Sequence, residues 1–233
     1  MMRVRTVFLC LLAAAGAMAS AQGMPPGFKM PSMRYNPALL MNPDVQKDMH
    51  LSKDVSGKVM QVMMEEGMKM APALLGAMGG KKQSPAEQQK MMTGMMDAFN
   101  AMQKRTIAYL TPPQRQRLHE ITLQSTGASA LLDPMNSREV GLTSAQSTKL
   151  AFSISQINRR HAAELGSPMQ GGSSNMAAYG AKAGALAKKT KFETDAVLDK
   201  LLAPAQKAKW LHMQGRHLDL KGAAGMGGMF GGL

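Results

Sequence analysis

The segments LTPPQ (residues 110–114) and LTSAQ (residues 142–146) share the pattern Leu-Thr-x-x-Gln, which indicates how this chain folds. Two further segments keep part of the pattern: LSKDV (residues 51–55) lacks the glutamine, and LAPAQ (residues 202–206) lacks the threonine. A threonine followed three positions later by glutamine is typical of a helix start. The four segments therefore predict four helix starts.

In each complete motif the threonine is the expected N-cap, and its hydroxyl oxygen accepts a hydrogen bond from the backbone N–H of the glutamine. The glutamine side chain accepts a bond from the N-cap N–H in return, which completes a capping box. A cap of this kind stabilises a helix by about 1 kcal/mol. We assign this structural role to Leu110, Thr111, Gln114, Leu142, Thr143 and Gln146. Ala203 cannot cap through its side chain, so the fourth helix is expected to start less firmly.

Apolar residues follow the four cap positions at matching distances, which predicts that the four helices bury the same face. Those seven positions after the cap are Val59, Leu118, Leu150 and Trp210, and those three or four positions further on are Val62, Ile121, Ile154 and Met213. The motifs also repeat: 59 residues separate Leu51 from Leu110, and 60 separate Leu142 from Leu202. Asn-Pro at 42–43 and Asp-Pro at 133–134 precede the two pairs. We therefore predict two copies of one helical unit, residues 42–131 and 132–221.

The regions outside the copies have compositions of a different kind. Residues 1–21 resemble a secretory signal peptide, with a basic start, an apolar run over 7–19 and cleavage after Ala19 or Ala21. Residues 22–41 are proline-containing and expected to be disordered, and 222–233 form a Gly/Met-rich tail expected to be flexible. Glycine and proline predict joints inside the copies at 72–83 and 166–174. The export signal places the protein in the periplasm.

Composition restricts the chemistry of the exported chain. Its one cysteine, Cys10, lies in the signal peptide, so packing alone must hold the mature protein together. The net charge of +13 falls to +11 without Arg3 and Arg5. A basic balance favours acidic partners such as an anionic envelope surface, although a solvated basic surface is the simpler interpretation. We find no nucleic-acid-binding motif. The fold prediction is all-α, an antiparallel helical cradle or bundle built from two tandem units.

Paired Leu-Thr-x-x-Gln motifs behind a signal peptide, in a Met-rich basic helical chain, resemble the Spy/CpxP family of periplasmic proteins. The resemblance covers most of residues 42–221. It implies a cradle of antiparallel helices, normally completed by a homodimer, with ATP-independent binding of unfolded clients or a role in stress sensing. Some relatives bind zinc or other metals. Because this chain carries two units, we expect it to form its own pseudo-dimer, with a homodimer as the alternative.

Methionines at helical spacing are the candidate client-binding residues, and residues 41–102 hold 13 of the 25 in the chain. One predicted face comprises Met60, Met63, Met64 and Met68, and a second comprises Met92, Met95, Met96 and Phe99. An ordinary core explains such faces most simply. A flexible, polarizable surface that repacks around many clients is the functional interpretation. Lys58, Lys69 and Lys90 would then attract acidic clients.

Metal binding and catalysis are the other classes of function. Thioether sulfurs favour Cu(I), which makes Met68 and Met70 candidate ligands, while His161 and Glu164 lie three residues apart and could share a metal. The sequence has no HExxH, GxSxG or phosphate-binding glycine loop, so we do not expect an enzyme or a cofactor. We predict an exported, ATP-independent chaperone-like or stress-response protein. A periplasmic Cu(I)- or Zn-binding stress protein and a structural adaptor for anionic polymer or lipid are the alternatives.

Overall fold

A computed structural model describes residues 34–78, 84–166 and 176–220 of the chain. Throughout these ranges the regular structure is helical, with no strand, which confirms the all-α prediction. The described elements are α1 (Pro43–Asp48), α2 (Lys53–Met78), α3 (Pro85–Ala108), α4 (Pro112–Thr126), α5 (Pro134–Val140), α6 (Ser144–Leu165), α7 (Met176–Leu201) and α8 (Pro204–Gln214), with 3-10 helices at Pro37–Met41 and Gly127–Leu132.

The order of elements repeats along the chain. A 3-10 helix, a short helix, two long helices and a closing helix occur first over residues 37–126 and again over 127–214. Both short helices begin at the predicted X-Pro positions, where the side chains of Asn42 and Asp133 accept backbone N–H bonds. The predicted division at residue 131 falls within the 3-10 helix Gly127–Leu132. The 3-10 helix Gly127–Leu132 precedes α5 as Pro37–Met41 precedes α1, so it belongs to the second repeat.

The described chain divides into two compact units, residues 34–118 and residues 119–220. In the first unit the main packing is between α2 and α3, and in the second it is between α6 and α7. Helices α6 and α7 are antiparallel, since Arg160 pairs with Glu193 while Glu164, further along α6, pairs with the earlier residue Lys189.

The predicted core register is confirmed at all eight positions. Val59, Leu118, Leu150 and Trp210 are buried, and so are Val62, Ile121, Ile154 and Met213. In the second unit Leu150, Ile154, Trp210 and Met213 belong to one cluster, which Leu198 and Leu202 also join. Because each cap precedes its apolar residues by nearly the same distance, all four helices bury the corresponding side.

The expected disorder over residues 22–41 was wrong for its last part. Residues 37–41 form a 3-10 helix, which Asn36 caps by accepting the N–H of Ala38 at 3.1 Å. Leu39 and Leu40 are buried, because this segment packs against α2 and α3. Residues 22–33, the signal peptide at 1–21 and the tail at 222–233 lie outside the described residues.

The first predicted joint begins later than expected. Helix α2 continues past Pro72 to Met78, and residues 79–83 lie outside the described residues. Ala, Leu and Met dominate residues 73–78, and their high helix propensity favours continuation. The second joint, at 166–174, begins as predicted because α6 ends at Leu165, and its remainder lies outside the described residues. None of the described helices has the length and apolar character needed to cross a membrane.

Candidate functional site

A stripe of exposed methionines runs along α2. The exposed fractions are 43% for Met60, 61% for Met64 and 66% for Met68. These side chains are spaced four residues apart, so they follow one side of the helix for about 12 Å. We call Met60, Met64 and Met68 the methionine stripe. Its exposure shows that the ordinary-core interpretation is wrong for these three residues.

The rest of the first predicted face behaves differently. Met63 is partly buried, while Val59 and Val62 are buried on the side of α2 that turns away from the stripe. Helix α2 thus carries buried valines on its inner side and exposed thioethers on its outer side. Methionine is flexible and polarizable, so this outer side is able to adapt to apolar partners of different shape.

The second predicted face, on α3, is not an exposed surface in the part that the structure describes. Met96 and Phe99 are partly buried, and Met102, one turn further on, is buried. The side chains of Met92 and Met95 lie outside the described residues. Among the described side chains of the two predicted faces, the exposed methionines are those of α2.

An ion-pair network lies on the inner side of α2. Glu66 is 1% exposed, and its carboxylate accepts bonds from Lys69 Nζ at 2.8 and 2.9 Å and from Arg105 Nη1 at 2.5 Å. Arg105 also donates from Nη2 to Glu65 Oε2 at 2.6 Å. A single arginine of α3 thus holds two adjacent carboxylates of α2, and the buried carboxylate is fully paired.

These contacts stabilise the charged carboxylates. The hydrogen bond from Lys69 and then that from Arg105 hold the pKa of Glu66 below its ordinary value. The hydrogen bond from Arg105, followed by one from Gln61, lowers the pKa of Glu65. Sequence analysis missed this network, although Glu66 continues the i, i+3, i+7 spacing of Val59 and Val62 and so occupied a predicted core position.

The lowered pKa values predict an acid-sensitive first unit. A carboxylate whose pKa is lower in the folded state stabilises the fold fully above its unfolded pKa and loses that contribution as pH falls through the folded pKa. We expect the α2–α3 pair to lose stability below about pH 4. Hydrogen exchange of the peptide 59–69 at pH 7 and pH 3 measures this. A Glu66→Gln variant should be less protected at pH 7 and should respond less to acid.

Glu164→Gln is the control, because the Glu164 carboxylate is exposed and pairs with an exposed lysine, Lys189. It should leave protection unchanged at both pH values. An unaltered acid response in Glu66→Gln would contradict the assignment of acid sensitivity to this carboxylate.

Acidic side chains accompany the basic ones on the helix that carries the stripe. Helix α2 carries three basic and three acidic side chains, Lys53, Lys58 and Lys69 against Asp54, Glu65 and Glu66. Lys58 pairs with Asp54 at 2.8 Å, and Lys69 pairs with Glu66. Each of these two lysines is therefore paired with a carboxylate about one turn away on the same helix.

The motif residues form the predicted capping boxes. Thr143 and Gln146 exchange both bonds, at 3.2 Å and 3.0 Å, and Thr111 and Gln114 do so at 3.4 Å and 3.0 Å. At the fourth motif only the return bond exists, from the Ala203 N–H to Gln206 Oε1 at 3.0 Å. Leu110 and Leu202 are buried beside their caps, and Leu142 is partly buried.

The motif glutamines also connect the third and fourth motifs to each other. Gln146 Nε2 donates to the carbonyl of Leu201, and Gln206 Nε2 donates to that of Gly141. The two side-chain amides exchange hydrogen bonds at 2.9 and 3.0 Å. In the first unit Gln114 Nε2 donates to the carbonyl of Met49. Position 55, which corresponds to Gln146 in the other unit, is a valine and has no side-chain amide to return a bond.

Removing one of these glutamines is expected to destabilise the second unit. Gln146→Ala loses the cap return bond and the bonds to Leu201 and Gln206, and we expect about 1–2 kcal/mol less stability. Urea denaturation followed by the fluorescence of Trp210, the only tryptophan, measures this. Gln156→Ala, at an exposed position of the same helix, should change stability by less than about 0.5 kcal/mol. Equal effects of the two substitutions would contradict the linking role.

Among the alternative metal ligands, the side chains of Met68, His161 and Glu164 are described, and each has its own surroundings. Met68 is exposed, while the side chain of Met70 lies outside the described residues. His161 Nδ1 contacts Thr190 Oγ1 at 2.6 Å and its Nε2 faces Glu193 at 3.4 Å, whereas Glu164 pairs with Lys189. The carboxylate that the structure places beside the imidazole therefore belongs to Glu193 of α7. No cluster of three or more His, Cys, Asp or Glu suited to a metal occurs within the described ranges.

Thr190, His161 and Glu193 follow the order of a nucleophile, a base and a carboxylate, but their setting offers little chemistry. Thr190 lies well inside α7, where the neighbouring amides donate within the helix and are not directed at an oxyanion. His161 is buried, which leaves a substrate little access to its ring. We interpret this group as a polar contact that joins α6 to α7.

The chain matches no protein-family model, no curated protein and no solved structure. The resemblance to the Spy/CpxP family therefore stays a prediction based on the Leu-Thr-x-x-Gln motifs.

Proposed function

We propose that this protein is an exported, ATP-independent chaperone that binds unfolded or partly folded proteins on the methionine stripe of α2. The observation that carries the proposal is the exposure of three methionines on one side of a helix whose other side is packed. Contiguous exposed apolar surface on a soluble protein is typical of an interaction site. Methionine suits a site that accepts many partners, because its side chain adopts many shapes.

The mechanism that follows is reversible apolar contact. An unfolded client exposes aliphatic and aromatic side chains, and each buries surface against the thioethers with a gain of about 25 cal/mol per Å². Folding of the client withdraws those side chains into its own core. Release is then by competition with folding, so neither nucleotide nor cofactor is required. Arg105 holds α3 against α2, so the stripe stays exposed while the client folds.

Aggregation of a chemically unfolded model client, followed by light scattering, tests the proposal. We expect the purified mature protein to suppress scattering at near-stoichiometric ratio, without ATP and in the presence of chelator. Scattering that is unchanged at every ratio would contradict the proposal. Lysozyme added at the same concentration controls for nonspecific effects of a basic protein.

A second candidate function, soft-metal binding, rests on the same exposed sulfurs. Thioethers four residues apart on one helix side are within reach of a shared Cu(I) ion. Titration with Cu(I) under anaerobic conditions, against a competing chelator, measures the affinity. Leucine at positions 60, 64 and 68 separates the two functions, because it keeps the apolar surface and removes sulfur. Client binding should survive that change, and copper binding should not.

We also propose that the two repeats make a cradle within one chain, in place of a homodimer. The repeated order of elements supports this, since each repeat supplies the helices that a single-unit protein would contribute as one subunit. Light scattering with size-exclusion chromatography should give the mass of a monomer. A stable dimer at micromolar concentration would contradict the pseudo-dimer.

A further inference from the structure

The described methionines differ widely in exposure. The methionine stripe and the isolated Met135 are exposed, whereas Met49, Met102 and Met213 are each less than 10% exposed. The stripe stands on the outer side of α2, and the buried methionines pack within the two units. A reagent that attacks thioether sulfur in folded protein therefore meets the stripe long before it meets the core.

Such a reagent is a two-electron oxidant of the hypohalous acid class. The sulfur lone pair gains one oxygen atom and the thioether becomes a sulfoxide. Hypochlorous acid is reduced by two electrons to chloride, and one proton is released. The product is polar where the methionine was apolar, and reductases specific for each sulfoxide epimer return it to the thioether. Oxidation therefore changes the character of a surface without cutting or crosslinking the chain.

We propose that Met60, Met64 and Met68 form a reversible oxidation site that switches the stripe from apolar to polar. The part of the proposal that concerns client release rests on the proposed function, whereas selective oxidation of the stripe does not. Three sulfoxides along about 12 Å of one helix side would make the stripe polar at each of its three positions. The inner side of α2, with Val59, Val62 and the Glu66–Arg105 contact, is untouched, so the fold persists.

Peptide mapping tests the selectivity. Trypsin releases residues 59–69 as one peptide that contains the three stripe methionines and the partly buried Met63. The peptides 48–53 and 210–216 report the buried Met49 and Met213, and the full-length protein is treated with graded hypochlorous acid. We expect the stripe to be oxidised about tenfold faster than Met49 and Met213, with Met63 intermediate. Equal rates for the stripe and the buried methionines would overturn the proposal.

Circular dichroism and client suppression test the switch. At the dose that oxidises the stripe, helix content should be unchanged while the apparent affinity for an unfolded client falls about tenfold, and sulfoxide reductases with dithiothreitol should restore it. The variant with leucine at 60, 64 and 68 should keep suppression after the same dose, although its Met135 is still oxidised. Loss of helix content at that dose, or an equal loss of suppression by the leucine variant, would overturn the switch.

The two proposals fail in different ways. If the unoxidised protein suppresses no aggregation, the proposed function has failed, and the peptide map still decides whether the stripe is an oxidation site. If the untreated protein suppresses aggregation but the stripe is not oxidised selectively, only the oxidation proposal has failed.

Discussion

Replacing Met60, Met64 and Met68 together by glutamine is expected to raise the concentration needed for half-maximal client suppression at least about tenfold. A methionine side chain that becomes fully buried gains about 1.5–3 kcal/mol, and a factor of ten in affinity corresponds to about 1.4 kcal/mol. Losing part of this apolar contact free energy at each of the three positions is therefore enough to weaken client binding about tenfold. Glutamine has the length of methionine and a good helix propensity, so α2 should remain intact. Light scattering of the client measures the effect.

Two variants control this result. Leucine at the same three positions keeps apolar contact and should keep most of the suppression. Met135→Gln removes an equally exposed but isolated methionine from α5 and should have no effect. Unchanged suppression by the triple glutamine variant, with normal helix content, would contradict the assignment of binding to the stripe.

Replacing Leu150 by alanine is expected to lower the free energy of unfolding of the second unit by about 2–5 kcal/mol. Leu150 is fully buried in the cluster that includes Ile154, Leu198 and Trp210, seven residues after the Thr143 cap. Truncation removes apolar contact and leaves a cavity that the surrounding helices fill only in part. Urea denaturation followed by Trp210 fluorescence measures the loss, because the indole packs in the same cluster.

Leu211→Ala is the matched control, since Leu211 lies next to Trp210 in α8 but is 66% exposed. It should shift stability by less than about 0.5 kcal/mol. A similar loss in both variants would show that distance from the cap does not determine which residues of these helices carry the core.

The helices and their buried sides were predictable because the signals that specify them are local. A cap defines where a helix starts, and the 3.6-residue period then determines which later positions face inward. Val59, Leu118, Leu150 and Trp210 illustrate this, since they follow four caps of unequal quality and are all buried. The helix start at Pro85 follows the same rule, since Ser84 and Glu87 form a capping box there.

The functional surface was less predictable, because methionine is compatible with both sides of a helix. Met60, Met63, Met64 and Met68 were assigned to one face, yet Met63 is partly buried and the others are exposed. The contact between Glu66 and Arg105 joins residues 39 positions apart, which no local pattern specifies. The 3-10 helix at Pro37–Met41 was missed because proline near a chain start suggested disorder, although Asn36 caps it and Leu39 and Leu40 anchor it.

Site-specific photo-crosslinking tests the central claim most directly. A benzophenone amino acid is placed at position 64, and in a second protein at the exposed control position 135, before illumination with an unfolded client. We predict that position 64 captures the client, that position 135 captures little, and that the folded form of the client is captured at neither. Equal capture at positions 64 and 135, or none at 64, would contradict binding on the methionine stripe.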